Sequence, residues 1–61
     1  MTTEQINIAR DMYEGGLSIE SIANMMDTES FVVARRLIKT YEDGSIGYED
    51  LNEWLVCNEE G

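Results

Sequence analysis

Histidine and proline are absent from this chain, cysteine occurs once, as Cys57, and four basic residues stand against thirteen acids. One thiol without histidine cannot build an internal disulfide or a Cys/His zinc site. The same absences remove the usual general base and the nucleophile–base pair, and no glycine-rich phosphate loop is present. Acid pairs such as Glu49 with Glu53 have the right residue type for proton transfer, but on a short helix nothing supplies a pocket to split their pKa values. A non-enzyme without cofactor or metal is therefore expected. No apolar run approaches the roughly 18 residues of a membrane span. Met1-Thr2-Thr3-Glu4 has no basic n-region either, so a cytoplasmic location is expected, which suits an unpaired thiol.

What is present fits one small unit. Sixty-one residues allow a single domain over 1–61 with one core. Chains of this size bury so little surface that hydrophobic gain barely exceeds chain entropy. With no disulfide or metal to help, self-association or a partner is the expected support. Cys57 reads as a small apolar side chain near the end of the last helix rather than as a reactive thiol.

The net charge of −9 is unevenly distributed. Residues 1–27 hold five acids against Arg10, residues 28–40 hold Glu29 against Arg35, Arg36 and Lys39, and residues 41–61 hold seven acids and no base. The flanks are acidic and the middle is locally basic.

Without proline, helix ends must be marked by glycine and by capping side chains. Thr2 with Gln5 has capping-box spacing, and Ile6, Ala9 and Tyr13, joined by Ile8 and Met12, recur at helical intervals as far as Gly15-Gly16. Ser18 suits the N-cap of a short helix carrying Ile19, Ile22, Ala23 and Met26, and Thr28 the N-cap of a third. In that third helix Val33, Leu37 and Tyr41 form one stripe and Ala34 and Ile38 the next, leaving Arg35, Arg36 and Lys39 on or beside the opposite face. Asp43-Gly44 and Gly47 then separate it from a last helix over about 48–57, with Tyr48, Leu51 and Leu55 in line. Trp54, Leu55, Val56 and Cys57 are consecutive, so one face cannot bury them all. Trp54 and Val56 either wrap the edge of a small core or form a contact patch. The expected fold is all-α, with three or four short helices.

The run from Asp43 to Leu51 has the look of half an EF-hand. Placing Gly44 at the loop glycine puts Lys39 and Tyr41 where oxygen ligands are needed and Asp50 where a bidentate glutamate belongs, which excludes calcium. A helix stop at Gly44 and a short extended link holding Ile46 against the core is the better expectation.

From Gly16 to Leu37 the chain resembles the helix-turn-helix of small bacterial and phage DNA-binding proteins. Ile22-Ala23 places a small residue where two helices must approach closely, Val33 packs opposite it, and Leu37 continues the stripe. The lead-in from Ala9 to Leu17 is similar to the helix preceding the motif in resolvase-like and transposase-like members. The resemblance implies a helix-turn-helix unit over about 17–42, with the C-terminal helix packed across it. Asp27 stands where that family prefers glycine, Thr28 where an apolar residue is common, and Glu29 where a serine often begins the recognition helix.

In such a fold Arg35, Arg36 and Lys39 would face the major groove. Nucleic-acid binders are ordinarily basic, however, and thirteen acids would repel a polyanion. The charge favours a protein partner with a basic surface over DNA. Spaced carboxylates can imitate phosphates, and small acidic phage proteins that modulate host polymerases, nucleases or defence systems look like this. The leading expectation is thus a regulatory or inhibitory binding protein acting on a host protein in the host cytoplasm. Its contact residues would be Tyr48, Glu49, Asp50, Glu53 and Trp54, with Phe31 a further apolar anchor and Arg35, Arg36 and Lys39 a second surface. A DNA-binding regulator using the basic trio, an assembly adaptor, and a homodimer through the C-terminal helix are the alternatives.

Overall fold

The computed structural model describes residues 1–58. Four α-helices follow one another: α1 Thr3–Glu14, α2 Ile19–Met25, α3 Ser30–Ile38 and α4 Ile46–Asn58. No strand occurs among the described residues, and the all-α expectation holds.

Local hydrogen bonds explain most of the helix ends. Thr2 and Gln5 form the capping box: the Thr2 hydroxyl accepts from the Gln5 N–H at 3.2 Å, and the Gln5 side-chain oxygen accepts from the Thr2 N–H at 3.0 Å. Ser18 caps α2 by accepting from the Ser21 N–H at 3.1 Å. Both helices then stop in the same way. At the end of α1, Leu17 N–H donates to the Met12 carbonyl at 3.1 Å around Gly16, whose φ is 104°. At the end of α2, Thr28 N–H donates to the Ala23 carbonyl at 2.9 Å around Asp27, whose φ is 58°. Each is a Schellman closure, which places its C′ residue in the left-handed region. The position that holds glycine in the first turn holds an aspartate in the second.

That second closure corrects one expected cap. Thr28 is used to finish α2, so α3 begins one residue later, with Glu29 as N-cap and no side-chain capping bond. The last helix also starts earlier than the expected residue 48. Ser45 accepts from the Tyr48 N–H at 3.2 Å through its hydroxyl and from the Glu49 N–H at 3.0 Å through its carbonyl, so α4 opens at Ile46. Ile46 therefore points outward, 82% exposed, and does not hold the link against the core as expected.

The core is Ala9 of α1, Ile19, Ile22 and Ala23 of α2, Val33, Ala34 and Leu37 of α3, and Leu51 of α4. α3 is its hub, packing against each of the other three helices. Ala23 and Ala34 are small residues at that hub, and small side chains let helices approach closely. α4 contributes one fully buried residue, with Trp54 and Leu55 half-buried beside it. Val56 and Ile8 stay exposed, and so does Cys57. Of the two C-terminal residues expected to wrap the core edge, Trp54 does and Val56 does not.

Candidate binding surfaces

Burying Val33, Ala34 and Leu37 fixes the rotation of α3. At about 100° per residue the outward face must then carry residues 31, 32, 35, 36 and 39. These five line one shallow depression of about 270 Å³: Phe31, Val32, Arg35, Arg36 and Lys39. The Arg35 guanidinium carbon lies 5.3 Å from the centroid of the Phe31 ring, a cation–π distance. Arg36 and Lys39 are exposed, and neither has a carboxylate within 4.0 Å among the described residues. Glu29, Glu42 and Asp43 are close along the chain, yet neither Arg36 nor Lys39 pairs with any of them.

Burying Leu51 fixes α4 in the same way. Glu49 and Glu53, one turn apart on the outward side, and Asp50 beside them face solvent. They line a second depression of about 390 Å³ with Asp43, Gly44, Tyr48 and Asn52. Tyr48 is half-buried at its edge. Trp54, expected to join this group, turns instead toward the core and is not among the lining residues. The sequence-derived contact residues thus fall into two sets on adjacent helices, one cationic on α3 and one anionic on α4.

A third cluster is tertiary. The Tyr41 hydroxyl donates to Glu14 at 3.0 Å, Arg10 pairs with the same carboxylate oxygen at 3.2 Å, and the Arg10 guanidinium carbon lies 4.6 Å from the Tyr41 ring centroid. Tyr13 meets that ring edge-on at 6.4 Å. Arg10 is thereby held at the surface by contacts within the chain. Its hydrogen bond to Glu14 raises the Arg10 pKa, burial and then the Glu14 bond raise that of Tyr41, and burial followed by the charge of Asp50 raises that of Tyr13. The spacing of Arg10 and Glu14 was visible as an i,i+4 pair. Their link to Tyr41, 27 residues from Glu14, had no local signal. Gly47 completes the cluster: a Cβ there would lie 2.6 Å from Tyr41 Cε1.

No group of three or more His, Cys, Asp or Glu among the described residues could hold a metal ion. No helix among them is long and apolar enough to cross a membrane. Comparison with family models, curated proteins and solved structures found no match.

Proposed function

We propose that this chain is a small regulatory or inhibitory binding protein whose α4 face docks on a basic surface of a host protein that handles nucleic acid. The observation carrying this reading is the outward set Asp43, Glu49, Asp50 and Glu53 around Tyr48, none paired with a base among the described residues. Glu49 and Glu53 are separated by one helical turn, a rise of about 6 Å. A folded helix holds such charges at fixed spacing, so little entropy is lost when a row of cations meets them. Tyr48 supplies an amphipathic contact at the edge. The resemblance to small acidic phage proteins supports the same reading, with spaced carboxylates taking the place of phosphates.

The test is a quantitative pull-down with tagged wild-type chain and with Glu49→Lys/Glu53→Lys. A basic nucleic-acid-handling protein retained by wild type, lost with the charge reversal and weakened as salt rises is the expected result. A complex insensitive to both would overturn the proposal.

DNA binding through α3 is the second reading. It is favoured by the left-handed turn residue at Asp27, where the resembled helix-turn-helix family has glycine, and by the cations grouped beside Phe31. Three phosphate contacts would give a salt slope of about −2.7. Fluorescence anisotropy with a DNA duplex at low salt measures it, and micromolar affinity abolished by Arg36→Glu would move this reading ahead.

A further inference from the structure

We infer that the basic depression on α3 is the seat for the α4 face of a second copy of this chain, so that the protein self-associates through an α3-to-α4 contact, in competition with the host partner proposed for that face. The α3 depression offers Arg36 and Lys39, with Arg35 stacked over Phe31 and Val32 in the wall. An occupant must bring several anions and an apolar group. The outward face of α4 has both: Glu49, Asp50 and Glu53 beside Tyr48, with Asp43 just before the helix.

Two other occupants fit less well. A nucleic acid would meet only three cations on a molecule of net charge −9, and the far acids add repulsion wherever salt does not screen them. An isologous dimer made by α4 on α4 would set Glu49, Asp50 and Glu53 of one copy against the same residues of the other. Like charges so placed cost rather than stabilise. The α3-to-α4 arrangement alone matches opposite charges, and it needs no group that the chain lacks. Small size adds a motive, since a domain this short gains from any additional buried surface.

The electrostatics give the contact a distinctive salt response. The molecule measures 26 × 24 × 20 Å, so at about 0.01 M salt, with a Debye length of about 30 Å, each copy feels the other's full negative charge. At about 0.15 M the length falls to about 8 Å, which screens whole-molecule repulsion but not pairs in contact. At about 1 M even those are weakened. Association is therefore tightest at intermediate salt.

Sedimentation equilibrium of the full chain from tens of micromolar upward tests this directly. Wild type should show a concentration-dependent rise in mass at intermediate salt. Arg36→Glu/Lys39→Glu and, separately, Glu49→Lys/Glu53→Lys should each weaken association by at least about tenfold. All four positions are exposed, and circular dichroism confirms folding of each variant. An equimolar mixture of the two variants should associate again, because one retains the anionic face and the other the cationic face. A wild-type chain that stays monomeric to about 1 mM overturns the inference, since a contact that weak would supply less than about 4 kcal/mol. So does a mixture that fails to associate. Association that keeps strengthening to about 1 M salt would be apolar, and it too would overturn the inference. A monomer that binds duplex DNA through Arg36 and Lys39 would give the depression to nucleic acid instead.

Discussion

Asp27 occupies a backbone conformation that suits glycine. With φ at 58° a side chain meets its own carbonyl, a cost of roughly 1–2 kcal/mol that aspartate and asparagine partly offset. Its negative charge also lies at the C-terminal end of α2, where the helix dipole is unfavourable to acids. Asp27→Gly is expected to stabilise the fold by about 1 kcal/mol, a rise of about 4–8 °C in Tm by thermal melting. Gly47 is the opposite case. Alanine there should raise helix propensity, by at most about 1 kcal/mol, yet its Cβ would drive into the Tyr41 ring. That ring is held by Glu14, Arg10 and Tyr13, so Gly47→Ala should destabilise by about 1–2 kcal/mol. In a Tyr41→Ala background the same substitution should change sign, and a double-mutant cycle in urea reads the reversal directly. The tyrosines also set the alkaline limit. Their folded pKa values lie above the ordinary 10.0, so their contribution is complete below that pH and is lost as pH rises through the folded values. Denaturation at about pH 9 and about pH 11 should show a smaller fall for Tyr41→Phe than for wild type.

At the level of elements, α4 packs against one other helix, α3, where each of the other three helices meets at least two. Its one fully buried side chain is Leu51, which meets the core through α3. Leu51→Ala should cost about 2–4 kcal/mol, a large share of the total for a chain of this size. Hydrogen exchange should show α4 amides losing protection before those of α2 and α3, and uniform loss would argue that the four helices open as one unit. The helices themselves were legible because their signals are local. Thr2 with Gln5, Gly16 and Ser18 lie within a turn of the ends they mark, and the 3.6-residue period correctly put Val33, Ala34 and Leu37 inside and the basic trio outside. The two misplaced starts have one cause, namely that a residue of capping type between two elements can serve either of them, through its backbone at Thr28 and its hydroxyl at Ser45. Thr28 was drawn into the closure of α2, and Ser45, between two glycines, read as part of a link. Contacts across the fold left no trace in the pattern. Nothing near Gly47 announces a tyrosine ring six residues earlier folding back upon it, and the separation of Trp54 from the carboxylates depended on how α4 rolls onto α3.

For the whole molecule the governing quantity is charge in relation to size. A net charge of −9 in a body 26 Å in its longest dimension repels itself, and that repulsion weakens the compact state. The faces nevertheless act separately at physiological salt, because a Debye length of about 8 Å is shorter than the distance across the fold. Raising salt from about 0.01 M to about 0.15 M at neutral pH should therefore increase Tm by several degrees, each kcal/mol being worth about 4–8 °C here. The measurement belongs at about 10 µM, dilute enough to keep self-association out of the reading, since a bound second copy would also raise Tm. Arg36→Glu deepens the negative charge by two without touching a buried side chain. It should melt below wild type at low salt and approach it as salt rises. A deficit that persists unchanged at high salt would mean that Arg36 stabilises the fold by packing along α3 rather than by its charge.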